Sequence, residues 1–323
     1  MAFPIDKLQF ILLIFSTLSV YCFIYSFTAI EAPTIVQLNL TRIQTDVPVF
    51  ALATSTLYGF CSTAESALEN GRSLNILGLN EDFSAVEDRK TLKTGMFLNA
   101  TDFVISKFGP DHIVMFTDGF DVLFQQPPSY FLNKYQHFHG QIVYSAENNF
   151  WPPKGGVPNH QNPLYIKQQQ MFSEMPDVYA GKGDPVQFLN SGAVIGKAGE
   201  LRKWFEDSIQ IMASDHINDD QELATTMLVS GKYNATLDVR SSMFFSMNGA
   251  LNLLEQDPNT FLFKNAVTQQ IPGAIHFNGD KSPFPTIAKS LWFKKANYSS
   301  PARKIGFHLP LKNNAFVRLS DVC

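Results

Sequence analysis

Five stretches of the chain, VPVFALATS (47–55), SLNILGLN (73–80), DHIVMFTDGFDVLF (111–124), QIVYSAE (141–147) and FLNSGAVIG (188–196), carry short apolar runs. Runs of this length without strict alternation suit strands buried on both faces, as in parallel sheets covered by helices. Helix-like segments lie between them. One falls at about 62–70, and one at about 90–107, where Leu92, Met96, Phe97, Phe103, Ile105 and Phe108 supply apolar positions. A third is PPSYFLNKYQHF (127–138), with proline at its start, where the missing N–H does no harm. Residues 199–212 place Leu201, Trp204, Phe205, Ile209 and Met212 on one helical face, and DDQEL opens another helix with Asp219 as N-cap and Glu222 three residues on. Strands are also predicted at 234–240 and at GAIHFNG (273–279). Strand alternating with helix predicts an α/β fold with a mostly parallel, Rossmann-type sheet flanked by helices. Residues 148–187, rich in Pro, Gly, Asn and Gln and containing Trp151, interrupt the alternation as a long loop. Loops of that length are usually functional or flexible.

The amino end differs from the rest. Residues 8–30 carry no charge over 23 positions, enough to cross a bilayer as a helix, which takes about 20 apolar residues. A cleaved signal peptide and a buried core helix are the alternatives. Lys7 is the only basic residue ahead of the segment and favours an N-inside orientation. The chain therefore divides into a signal-anchor or signal peptide (1–30), a short polar stem (31–46) and one domain (47–323), with the apolar share of 45% supplying a sizeable core. Sequons at Asn39, Asn99, Asn234 and Asn297 are compatible with a lumenal domain. Cys22 lies in the apolar segment, so Cys61 and Cys323 allow one disulfide, and no metal-finger spacing exists. A net charge of −4 with no run of Lys or Arg argues against a nucleic-acid partner.

The apolar run Ile113–Phe116 leads straight to Asp118 and Asp121. In open α/β sheets ligands bind beyond the carboxyl ends of the strands. Two carboxylates three residues apart on a turn can hold one hard cation, with phosphate oxygens completing its shell. The plainer reading is that Asp118 caps a turn and Asp121 is solvated. Two other phosphate chemistries lack their motifs: an aspartyl-nucleophile phosphatase wants D-x-D, and a P-loop wants G-x-x-x-x-G-K-[ST]. GAVIGKA (192–198) has neither that spacing nor the hydroxyl, and no G-x-G-x-x-G follows a strand.

An ordered series spans about 47 to 280: LGL (77–79), MFTDGFDVLF (115–124), SAE (145–147), WP (151–152), FLNSGAVIG (188–196), DDQ (219–221), LDVR (237–240) and HFNGDK (276–281). Together these resemble the glycosyltransferase module at the amino end of the procollagen lysyl hydroxylases. The resemblance implies a GT-A-like, metal-dependent enzyme that moves a hexose from a UDP-sugar to an acceptor hydroxyl, collagen-linked hydroxylysine glycan being one candidate acceptor. It implies Asp118, Asp121 and His276 as ligands of Mn²⁺, an ion that accepts carboxylates with one imidazole. Glu147, Asp219 and Asp220 match the family's acidic positions near the sugar, with Asp220 or Glu147 the candidate base and Asp219 as readily a helix cap. Trp151 would pack on the sugar ring, or the loop onto the core. Lys93 and Lys281 would contact phosphate, or be solvated lysines. Asn190 lies in LNSG, where Gly192 would let substrate approach the backbone. Between the two aspartates stands Phe120, where the family usually has Tyr; stacking on uracil is kept and a hydroxyl lost. HFNGDK also departs from the family's Gly-rich version, and the acidic cluster is thinner. A chain ending at 323 is expected to lack the oxygenase domain, and with it lysyl hydroxylation. The expected setting is the lumen of the endoplasmic reticulum or Golgi, as a single-pass type II protein, or secretion if the leader is cleaved. A nucleotide-sugar- or glycan-binding relative without turnover, and a nucleotide-sugar hydrolase, are the competing readings.

Overall fold

The apolar runs become strands buried on both faces: every residue of Leu74–Leu77 is buried, with the Asn75 amide donating to the Val49 carbonyl at 3.2 Å, as are Val49, Phe50 and Ala51 of Val49–Leu52. In chain order the strands are β1 (Val49–Leu52), β2 (Leu74–Leu77), β3 (Ile113–Asp118), β4 (Val122–Phe124), β5 (Ile142–Glu147), β6 (Phe188–Lys197), β7 (Ala235–Asp238), β8 (Phe244–Ser246), β9 (Leu254–Gln256), β10 (Phe263–Asn265), β11 (Ala274–His276), β12 (Gly306–Leu309) and β13 (Ala315–Arg318). The helices are α1 (Phe60–Glu69), α2 (Arg89–Phe108), α3 (Pro128–Tyr135), α4 (Pro163–Ser173), α5 (Ala198–Asp215), α6 (Asp220–Val229) and α7 (Phe284–Ser290). The computed structural model describes residues 46–56, 59–79, 89–153, 158–173, 186–215, 217, 219–291, 293, 306–310 and 315–323. The apolar segment 8–30, the stem up to residue 45, and the sequons at Asn39 and Asn297 lie outside these. Among the described residues no helix is long and apolar enough to cross a membrane.

Eight strands form the main sheet in the order β13-β12-β2-β1-β3-β6-β5-β7. It is mostly parallel, as expected, but β6 runs against both β3 and β5, and β13 against β12. Helices α2, α5 and α6 cover one face. There Phe50, Phe97, Phe116 and Phe205 stack at centroid distances of 4.7–5.5 Å, joined by the fully buried Trp204. On the other face α1 and α3 pack with Phe124, Phe244 and Phe307. A three-stranded sheet, β4-β11-β8, carries a further apolar cluster in which Phe245, Phe277 and Phe284 meet. Burial of each such aromatic side chain is worth about 1.5–3 kcal/mol.

Two expectations change. The stretch 111–124 reads as one strand but forms two, β3 in the main sheet and β4 in the small one, because Gly119 turns the chain between them. A Cβ on Gly119 would meet the Leu52 carbonyl at 2.4 Å, so the turn presses on the end of β1 in a way only glycine permits. The long loop 148–187 contains α4, PLYIKQQQMFS. That helix buries Gln168, whose Oε1 accepts the Leu189 N–H at 2.7 Å, so it carries no apolar stripe to betray it. Cys61 and Cys323 form a disulfide that ties α1 to the turn after β13.

Candidate functional site

Asp118 ends β3 and Asp121 immediately precedes β4, so the pair bridges the two sheets. His276 is the last residue of β11 and lies opposite Val122 in the β4–β11 ladder. The Phe277 N–H donates to the Asp121 carbonyl at 2.8 Å and fixes that register beside the turn. One ligand atom from each of Asp118, Asp121 and His276 falls within 4.8 Å of the other two. His276 Nε2 stands 3.4 Å from Asp118 Oδ2 and 3.5 Å from Asp121 Oδ1. Ligands about 2.1 Å from one ion lie roughly 3–4 Å apart, so the three groups could hold a divalent cation.

Each aspartate divides its oxygens in the same way. Asp118 Oδ1 receives Lys93 Nζ at 3.1 Å, and Asp121 Oδ2 receives Lys281 Nζ at 2.8 Å. The other oxygen of each turns towards His276. Asp121 Oδ1 and His276 Nε2 are buried and hydrogen-bonded to nothing among the described residues. Orphaned polar atoms are costly in a core, and a cation between them would satisfy both. Burial works against charge on all three groups, yet neighbouring charges win. Lys93 and His276 hold Asp118 below the usual carboxylate range, His276 and Lys281 bring Asp121 to about 2, and the two aspartates lift His276 to about 10.

The far side of His276 is equally determined. Its Nδ1 lies 2.9 Å from Asn190 Oδ1. Gly192 passes against the ring, and a Cβ there would meet His276 Cε1 at 2.0 Å. Gly192 thus makes room for the imidazole, a different role from opening the backbone to substrate. Both residues sit where β6 slips register against β5: Ser145 pairs with Asn190 while Tyr144 pairs with Val194. Such bulges aim side chains at sites.

Asp220 opens α6, and its Oδ2 accepts Lys93 Nζ at 2.7 Å and Ser191 Oγ at 3.1 Å. Burial opposes its ionisation, but Lys93 holds its carboxyl below the ordinary value. Lys93 therefore links α2, β3 and α6 by binding two carboxylates. Behind it a cavity of about 30 Å³, lined by Thr94, Tyr144 and Ser208 among others, has room for water. Asp219 is the N-cap of α6, its Oδ1 accepting the Gln221 and Glu222 N–H groups at 2.9 and 3.1 Å. Its Oδ2 takes the indole N–H of Trp151 at 3.4 Å, leaving that ring about half exposed at the rim. Phe120 is half-buried between the aspartates and packs partly on the core below α1.

Glu147, at the end of β5, is 1% exposed and does not face open solvent. Its Oε1 accepts from Gln221 Nε2 at 2.5 Å and Asn190 Nδ2 at 3.3 Å; its Oε2 accepts from Asn278 Nδ2 at 2.7 Å and Asn248 Nδ2 at 3.1 Å. Burial raises its carboxyl above the usual range despite these donors. Sequence reasoning missed Ser191, Gln221, Asn248 and Asn278. The one signal for Ser191 was a glycine inside an apolar strand run, which marks a bulge.

Fold and site together define an α/β protein with a carboxylate–imidazole cluster where β3 meets the small sheet. Residues 43–286 match the family model for the PLOD GT domain, and the chain belongs to this glycosyltransferase family. The multifunctional procollagen lysine hydroxylase and glycosyltransferase LH3 of Homo sapiens is 27% identical over 245 residues, covering 72% of this chain and 29% of that protein. Procollagen-lysine,2-oxoglutarate 5-dioxygenase 1 of Gallus gallus is 26% identical over 239 residues, covering 72% and 30%. The chain thus spans about 30% of the length of these curated relatives. Among solved structures, the galactosyltransferase LgtC in complex with donor and acceptor sugar analogs aligns with a TM-score of 0.41 at 13% identity, over 76% of this chain and 96% of that one.

Proposed function

We propose that this chain is a UDP-sugar-dependent glycosyltransferase that moves a hexose to an acceptor hydroxyl, with glycan on collagen-like protein as the favoured acceptor class. The observation that carries the reading is the Asp118–Asp121–His276 cluster, with its orphaned buried atoms, in a chain of this family. Asp118, Asp121 and His276 would hold Mn²⁺, whose positive charge offsets the charge of a departing diphosphate. Lys281, 60% exposed, has the freedom to leave Asp121 for a phosphate oxygen, whereas Lys93 is held by two carboxylates. Phe120 offers a ring face to the base and Trp151 one to a sugar. Asp220 Oδ2 is engaged by Lys93 and Ser191, and its Oδ1 would be the atom that accepts from a substrate hydroxyl.

The proposed setting is the lumen of the endoplasmic reticulum or Golgi, with residues 8–30 as anchor or leader. The Cys61–Cys323 disulfide, which needs an oxidising compartment, and the exposed sequon residues Asn99 and Asn234 support that setting. The test incubates the purified chain with Mn²⁺ and a panel of UDP-sugars, following UDP release with and without collagen-like acceptors. Release from one donor, increased by acceptor and lost in Asp118→Ala, is expected. Donor binding with no release under any condition would refute the transferase reading in favour of a binding protein.

A further inference from the structure

We propose that Glu147 is a positioning residue: it orients the imidazole of His276 through Asn190 and does not act as a base on substrate. The inference rests on His276 being a metal ligand. A carboxylate offers about four lone-pair sites, and all four of Glu147 are occupied by amide N–H groups. A general base needs one lone pair aimed at the substrate proton, and none is left. The four donors come from β6, α6, the turn after β8 and the turn after β11, so one buried charge gathers the elements that surround the cluster.

Asn190 transmits the effect. A carboxylate can only accept, so the Asn190 amide must turn its Nδ2 to Glu147 and its Oδ1 the other way. That oxygen accepts the Gly192 N–H at 3.1 Å and lies 2.9 Å from His276 Nδ1. An oxygen can only receive the Nδ1–H of the imidazole, which leaves Nε2, facing the two aspartates, as the nitrogen that would give its lone pair to a metal ion. The negative charge at position 147 therefore selects the metal-binding orientation of His276 two hydrogen bonds away. Glutamine at 147 would keep the shape but present a donor to some of the four amides. Asn190 would then lose the acceptor that fixes its Nδ2 side, and only the Gly192 N–H would hold Oδ1 towards the imidazole.

The experiment measures Mn²⁺ affinity of the full chain from the electron paramagnetic resonance signal of free Mn²⁺, together with kcat at rising Mn²⁺. Loss of such outer partners typically weakens metal binding 10- to 100-fold. Glu147→Gln and Asn190→Ala should each show a loss of about that size, should not add in the double variant, and should regain most of the wild-type kcat at high Mn²⁺. Asn190→Ala leaves Glu147 with three of its donors and carries the decision if Glu147→Gln fails to fold. Wild-type Mn²⁺ affinity in the variants, with kcat reduced at every Mn²⁺ concentration, would restore Glu147 as a catalytic group and overturn this proposal alone. Absence of Mn²⁺ binding by the wild type would overturn the metal reading with it.

Discussion

Replacing Gly192 by alanine puts a methyl group into the space of the His276 ring. The added Cβ would lie 2.0 Å from Cε1, 2.6 Å from Nδ1 and 2.8 Å from Nε2. Ordinary contact begins near 3.4 Å, so the ring must retreat by about 1.4 Å. Its backbone φ lies outside the left-handed region, so alanine is not penalised by conformation and the whole effect is steric. The imidazole is 3% exposed and held between Asn190 and the two aspartates, so the retreat breaks one contact or the other. Metal–ligand bonds hold to within about 0.2 Å, far less than this displacement. Mn²⁺ affinity should fall at least 100-fold, and a misplacement of about 1 Å at a reacting centre alone costs some 10²-fold in rate. The fold should lose only an overpacking cost of about 1–3 kcal/mol, a few degrees in Tm. The assays are Mn²⁺ titration and thermal unfolding of Gly192→Ala, His276→Ala and the double variant. If Gly192 acts only through His276, the double variant binds Mn²⁺ no worse than His276→Ala. Wild-type Mn²⁺ affinity in Gly192→Ala, in a folded protein, would falsify the claim that this glycine exists for the imidazole.

Three other outcomes are expected. Cys61→Ser opens a covalent loop with a sequence separation of 262, and the chain-entropy relation puts the loss at about 5.6 kcal/mol as an upper value; non-reducing and reducing thermal melts should differ in the wild type and coincide in the variant. Asp238 accepts the N–H groups of Ser242, Met243 and Phe244 and the Ser242 hydroxyl at 2.6–2.9 Å, so Asp238→Asn, which turns one acceptor into a donor, should cost about 2–4 kcal/mol in urea unfolding. Burial pushes the Tyr130 and Tyr135 phenols up to about 12, so the folded state keeps protons that the unfolded chain releases near pH 10. Stability should therefore be intact below pH 10 and decline as pH rises towards 12, with the phenolate absorbance of these tyrosines appearing only as the far-ultraviolet signal is lost.

The parts of the fold legible in sequence are those built by one kind of force. Strands β1, β2, β3, β5 and β6 are apolar because both their faces are covered, and α5 shows its stripe because one face packs on that sheet. Strands β8 and β12, at three and four residues, stand outside the apolar runs that mark the other strands, and their pairing is set by distant partners. Helix α4 was hidden for a different reason: its anchor is an amide hydrogen bond, which no hydrophobic pattern records. The antiparallel course of β6 was equally invisible, since a strand buried on both faces has the same composition in either direction.

The site divides along the same line. Asp118 and Asp121 were legible because an ionised pair at the end of an apolar run is costly unless something outside the strand compensates it, and sequence displays that cost directly. His276 was legible only through its position in the ordered series of motifs. Glu147 stands out in sequence through the SAE motif of the resemblance and its place at the end of a strand, and both point to chemistry on the substrate. Its surroundings make it a buried acceptor filled by four amides, and those amides belong to residues 190, 221, 248 and 278, scattered over 89 positions of the chain. Asn190, Gln221 and Asn278 lie in motifs of the ordered series, but nothing in the sequence shows that they and Asn248 converge on one carboxylate. Convergence is a property of the fold: the β6 bulge, the cap of α6 and the ends of β8 and β11 must first be brought together before one carboxylate can bind them all. The three proposed ligands therefore lie in motifs that the sequence displays, whereas the groups that aim them depend on the fold for their existence.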